Sequence, residues 1–113
     1  MMNVSCAIIP AGGSGTRTLP ASKSIPKCML PILDRPMIQL AVEEIVAAGI
    51  EDVVIVTSPR DDTTRAHFKP SPALEIALAR KGETQLLDTL RRISSLAKIT
   101  YITQHEPLGL GHA

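Results

Sequence analysis

With 113 residues, 44% of them hydrophobic and 20% charged, the chain has the size and balance of one globular domain with a single core, too short for two. A formal net charge of +1 supplies no general field for nucleic acid or a membrane surface, so an anion site has to come from local clustering. Phe68 and Tyr101 are too few stacking platforms for single-stranded nucleic acid, and no apolar run is long enough to cross a bilayer.

In chain order, the apolar run Val4 to Ile9, ending at Pro10, reads as a strand buried on both faces of a parallel sheet. The turn Ala11-Gly12-Gly13-Ser14-Gly15-Thr16-Arg17 follows, and Pro20, Pro26, Pro31 and Pro36 then deny any long helix between Leu19 and Pro36. That segment is expected to be an extended functional loop. Pro36 fits the first turn of a helix over 36–48, with Asp34 near its positive end. Ile38, Val42, Ile45 and Ala48 repeat at helical spacing, and Gly49 offers a left-handed stop. Asp52 to Thr57 is β-branched and apolar, a second buried strand that completes a right-handed βαβ unit.

A short helix begins near Asp61, and Lys69-Pro70-Ser71-Pro72 breaks it. Ala73 to Arg80 and Glu83 to Ser94 read as helices separated by Gly82, the second with Leu86, Leu90 and Ile93 on one face and Arg91-Arg92 on its solvated face. Ile99 to Thr103 is a third strand. Strands and helices in this order make the first half of a doubly wound α/β fold, with a sheet edge left unpaired unless something covers it.

Cys6 and Cys28 make no disulfide framework, and the start carries neither the basic flank nor the apolar stretch of a signal peptide, so the expected compartment is the cytoplasm. His67, His105 and His112 have no metal-ligand spacing with one another or with the cysteines, so no metal site is assigned and each reads as a surface or capping histidine.

A glycine-rich turn at the end of a buried strand points several backbone N–H groups at one place, and Arg17 and Lys27 add positive charge there, a combination suited to phosphates. It is neither of two familiar phosphate loops. Thr18 stands where a dinucleotide fingerprint needs its third glycine, and no lysine follows the glycines as in a Walker loop. A lone glycine cluster of this kind is equally read as a tight turn.

The whole string narrows the choice. A-G-G-S-G-T-R, L-P-A-S-K-S-I-P-K, M-L-P-I-L-D-R-P-M-I-Q, A-A-G-I and Q-H-E-P-L-G-L-G-H-A resemble the sugar-nucleotide pyrophosphorylases, and among them the bacterial-type UTP-glucose-1-phosphate uridylyltransferases. The resemblance spans essentially all 113 residues and implies that they are the N-terminal nucleotide-binding portion of a Rossmann-like nucleotide-diphospho-sugar transferase fold, truncated to its first three parallel strands and flanking helices. The implied parent reaction converts UTP and glucose 1-phosphate to UDP-glucose and pyrophosphate.

The resemblance further implies roles for single residues. Ala11 and Gly12 would offer main-chain groups to the uracil edge, and Gly13, Ser14, Gly15 and Thr16 would wrap the triphosphate. Arg17 and Lys27 would be the catalytic cations, Gln104 would read the base, and the Gly109 backbone would approach alongside. A solvated loop glutamine is the plain alternative for Gln104, and Lys23 is left between a phosphate role and a structural one.

Cys28 stands where the family usually has glutamate, which would remove an acceptor from the base site; beside Lys27 it reads either as a reactive thiol or as a small buried hydrophobe. Mg²⁺ is the implied cofactor, with ligands outside this chain, which alone is expected to be nearly inactive. The other readings are a non-catalytic nucleotide-binding or regulatory module that associates with a complete homologue, or a truncated product without a stable core. Homo-oligomer formation is left open.

Overall fold

The computed structural model describes residues 6–12, 16–59 and 61–104. In chain order the elements are β1 (Cys6–Pro10), 3-10 turns at Thr16–Thr18 and Lys27–Met29, β2 (Pro31–Ile32), β3 (Arg35–Pro36), α1 (Met37–Ala47), β4 (Asp52–Thr57), α2 (Thr63–Phe68), α3 (Pro72–Arg80), α4 (Thr84–Ser94) and β5 (Lys98–Thr103). β1, β4 and β5 form a parallel sheet in that spatial order, with Ile9 opposite Ile55 and Ile55 opposite Tyr101. β4 is central because its run of β-branched residues suits a strand paired on both sides, and Val53, Ile55, Val56 and Thr57 are all buried.

The core lies between this sheet and the helices. Ile38 and Val42 of α1, Phe68 of α2 and Ile93 of α4 close on Val53 and Ile55, with Ile9, Ile99 and Tyr101 packed against them. The α1 stripe follows from its i, i+4 spacing. In α4 the expected face holds at Ile93, which is buried, and at Leu90, which is half-buried, while Leu86 is exposed and Leu87 is buried in its place. Arg91 and Arg92 are exposed as expected, and Arg91 Nε also pairs with Glu75 Oε1 of α3 at 2.9 Å.

Gly49 ends α1 as its sequence position predicts, at φ +91°, with its N–H donated to the Val46 carbonyl and the Ile50 N–H to that of Ile45. A Cβ there meets nothing within 4 Å. Gly49→Ala therefore isolates the backbone term, and thermal melts should show a loss of about 1 kcal/mol.

Two expectations are corrected. β1 is not buried on both faces: Ile9 is half-buried against the core, whereas Ile8 is 60% exposed, because every helical residue of the core cluster sits on the other side of the sheet. The proline-rich segment is not simply extended either. It holds the two 3-10 turns and a β2–β3 hairpin, Pro31 opposite Pro36, whose loop places Leu33 at φ +60°. Asp34 lies in that loop, beside Arg35 Nε at 3.8 Å, and does not cap α1, which begins after Pro36 with no side-chain cap.

Candidate functional site

Ligands of open α/β sheets bind beyond the carboxyl ends of the strands. Here the Ala11 N–H donates to the Val56 carbonyl at 2.8 Å, and the Gln104 N–H donates to that of Thr57 at 2.7 Å. Both bonds carry the ladder one step past the strands and bring Ala11, Gly12, Thr57, Ser58 and Gln104 to one edge. A Cβ on Gly12 would lie 3.5 Å from the Ser58 nitrogen and 3.7 Å from Gln104 Oε1, ordinary contact distances. The fold therefore does not demand glycine at 12. What glycine leaves open is the space beside the Gln104 amide.

Among the described residues, two polar atoms at this edge are buried without a hydrogen-bond partner, Gln104 Nε2 and Thr57 Oγ1. Buried donors left unpaired cost on the order of 1–3 kcal/mol each, so a pair of them at a strand edge marks a place where a polar ligand would be held. Thr57 was not singled out from the sequence; the only signal was a hydroxyl closing the apolar run Val53 to Val56.

Lys27 stands at the start of its 3-10 turn, and a cavity of about 310 Å³ opens between it and the end of β1, lined by Ile9, Ala11, Cys28, Met37, Ile38 and Ala41 among others. Lys27 and Ala11 are thus neighbours across one cavity. Arg17 is exposed on the turn that follows the glycines, and it is not among the residues lining that cavity. Neither cation forms an ion pair among the described residues. Lys23 is exposed. The proposed phosphate loop residues Gly13, Ser14 and Gly15, the Thr16 side chain, and Gly109 lie outside the described residues.

The Lys27 turn is anchored from behind. Asp61, 5% exposed, accepts hydrogen bonds from Thr63 Oγ1 (2.9 Å), the Thr64 backbone N–H (3.1 Å) and Thr64 Oγ1 (2.7 Å). Thr64 has given its one proton to the carboxylate, so at 3.4 Å the Cys28 thiol donates to Thr64 Oγ1. Burial pushes the Cys28 thiol up, and the Asp61 charge adds to it against the Thr64 hydrogen bond. Cys28 is therefore a packed, protonated thiol. Of its two readings, the structure selects the buried one.

His67 is neither a surface nor a capping residue. Its Nε2 lies 2.8 Å from Oε1 of the buried Gln39, so the neutral ring donates there, and burial pushes its pKa below the ordinary 6.5. The two shifts set opposite limits on stability. A lowered histidine contributes stability that is present above about pH 6.5 and lost as pH falls; a raised thiol contributes stability that is present below its ordinary 9.0 and lost as pH rises. The melting temperature should therefore be highest between these values and fall on both sides, and His67→Gln should flatten the acid limb.

Among the described residues, no group of three or more His, Cys, Asp or Glu side chains could hold a metal ion. The donors beside the cavity are a lysine, a thiol and backbone groups, and the Asp61 carboxylate is occupied by Thr63 and Thr64. This set does not fit Mg²⁺, which takes carboxylate and water oxygens. No helix among the described residues is long and apolar enough to cross a membrane.

A parallel βαβ sheet with a polar carboxyl edge suits a nucleotide-binding α/β protein, and the nucleotidyl transferase family model matches residues 6–113. The chain belongs to that family. Within it, the chain is 55% identical over 113 residues to UTP-glucose-1-phosphate uridylyltransferase of Bacillus subtilis (strain 168), and 52% identical over 112 residues to uridylyltransferase 1 of Staphylococcus saprophyticus. Essentially all of this chain is covered in both cases, against 39% of either relative. Among solved structures, UTP-bound UGPase from Acinetobacter baumannii superposes with a TM-score of 0.86 at 38% identity, over 97% of this chain and 39% of that one. A UDP-glucose pyrophosphorylase complexed with UDP-glucose gives 0.76 at 39% identity, over 97% and 38%. The truncated Rossmann-like α/β fold expected from the sequence is the one observed.

Proposed function

We propose that this chain is the nucleotide-binding portion of a UTP-glucose-1-phosphate uridylyltransferase, holding UTP for attack by glucose 1-phosphate. The observation that carries the reading is Gln104 Nε2, buried without a partner among the described residues and with its amide beside Gly12, at the same strand edge as the Lys27 cavity. Gln104 offers an amide N–H and a carbonyl oxygen, the complement of a pyrimidine face, with the Ala11 and Gly12 main chain beside it. Gly13, Ser14, Gly15 and Thr16 wrap the triphosphate in this reading, and Gly109 approaches the base.

The reaction is a direct displacement. A phosphate oxygen of glucose 1-phosphate bonds to the α-phosphorus of UTP, the bond from that phosphorus to the bridging oxygen breaks, and pyrophosphate leaves with the electron pair. No protein nucleophile is needed. Lys27 offsets charge at the α-phosphate as a point cation, and Arg17 holds phosphate oxygens through its fork of donors. Mg²⁺ would be held by carboxylates outside the matched region rather than by the residues beside the Lys27 cavity, and it would offset charge on the phosphoryl oxygens. We place the chain in the cytoplasm, where the free thiols of Cys6 and Cys28 stay reduced, in carbohydrate metabolism. No finding favours the non-catalytic module over this reading.

Calorimetric titration with UTP tests it. Saturable binding is expected, weaker for CTP, whose pyrimidine face exchanges an acceptor for a donor. Gly12→Val, which fills the space beside Gln104, should weaken UTP binding about 100-fold while the chain stays folded. A folded chain that gives no heat with UTP sinks the proposal.

A further inference from the structure

Two consecutive residues of α2 reach opposite walls of the site. Thr64 Oγ1 lies 3.4 Å from Cys28 Sγ, on the turn that carries Lys27, and Arg65 Nη2 donates to Thr103 Oγ1 at 3.0 Å, one residue before Gln104. The Arg65 guanidinium also sits over the Tyr101 ring, 5.3 Å from its centroid. Tyr101 and Thr103 are alternate residues of β5 and share a face, so one half-buried side chain grips both. Among the described residues Arg65 forms no ion pair, so its fork is committed to this strand. β5 needs such a hold. In the described sheet it is an edge strand, tied to β4 on one side only, and its last tie is the Gln104 N–H on the Thr57 carbonyl.

We propose that Arg65 is a positioning residue for base selection: it fixes the end of β5, and with it the Gln104 amide, relative to the Lys27 turn, with α2 as the strut between the two walls. This rests on the reading of Gln104 as the residue that meets the base. Uracil and cytosine differ by one exchanged donor and acceptor, so they are told apart only where the reading amide is held to within about 0.5 Å. The strut is itself anchored, because Asp61 accepts from Thr63 and Thr64 at the start of α2, and a hold on Thr103 is therefore a hold against the core. A role for Arg65 as a further phosphate cation fits less well. Its guanidinium packs on the helix-covered face of β5, beside the core residue Tyr101, and it is not among the residues lining the Lys27 cavity.

The test uses two variants of the whole chain: Arg65→Met, which keeps the apolar stem, and Thr103→Val, which removes the acceptor at nearly constant shape and unchanged charge. Hydrogen exchange of the free chain, followed by NMR, should show the Gln104 N–H exchanging about tenfold faster in both, with the Ala11 N–H, bonded to Val56 on the β1 side, unchanged. In calorimetric titration the preference for UTP over CTP should fall about fivefold in both, while inorganic tripolyphosphate, which reports the phosphate side alone, binds as to the wild type. The double variant should lose no more than Arg65→Met, since both changes break one contact. Arg65→Lys, which keeps the charge without the planar fork, should recover less than half of the lost preference. Circular dichroism checks the fold of each variant, and Thr103→Val, β-branched in a strand, carries the test should Arg65→Met unfold. Unchanged Gln104 exchange overturns the proposal, as does an equal loss for UTP, CTP and tripolyphosphate, the mark of a phosphate cation. A wild-type chain that binds no UTP sinks the nucleotide reading by itself; the exchange result, read without nucleotide, still decides whether Arg65 holds Gln104.

Discussion

Replacing Lys27 and Arg17 together by alanine is expected to weaken UTP binding at least about 100-fold, with each single change costing about tenfold. Each cation on a multiply charged phosphate contributes a charge-assisted bond, worth roughly 1.5–3 kcal/mol. Both side chains are exposed, with no ion pair among the described residues, so removing them leaves no buried group unpaired and the fold should hold. Titration at two salt concentrations checks the assignment. The wild-type affinity should drop with salt, and the double variant should show a flatter dependence. Lys27→Arg should recover less than the charge alone suggests, because a planar fork does not replace a compact ammonium beside the 310 Å³ cavity.

Asp61→Ala should be the most damaging polar substitution in the chain, lowering stability by about 3 kcal/mol. The Asp61 carboxylate accepts from three donors, two of them on the buried Thr64. Truncation strands the Thr64 N–H and hydroxyl in a dry site, costing on the order of 1–3 kcal/mol for each group left unmatched. For a chain this size that is a large part of its total stability, and a melt should fall on the order of 10 °C. Asp61→Asn should cost less: one oxygen still accepts from the Thr64 N–H, while the new amide reverses the Thr64 hydroxyl toward Cys28. Because Thr64 holds the Cys28 thiol, and Cys28 follows Lys27 on the same turn, Asp61→Ala should also weaken UTP binding severalfold well below its melt. Thermal melts and titration together check both effects.

The three parallel strands, the span of β4 and the stop at Gly49 were legible from local rules, since a β-branched run and a glycine after an apolar stripe act through their own backbone and near neighbours. Gln104 could be placed at the carboxyl edge because it directly follows the third strand. The β2–β3 hairpin was not legible: Leu33 takes the left-handed turn position that sequence rules reserve for glycine or asparagine. Burial of β1 was misread because an apolar run looks the same whether one face or both are covered, and the cover depends on other elements.

The sequence by itself determined the family and the chemistry offered, because the glycine turn, its two cations and Gln104 are fixed by residue type and order. Only the tertiary structure decided that Cys28 is a protonated, packed thiol and that Asp61 and Thr64 stand behind the Lys27 turn. Those properties arise from groups more than thirty residues apart in the chain meeting in a water-poor space, where burial and a neighbouring charge outweigh what each residue prefers alone.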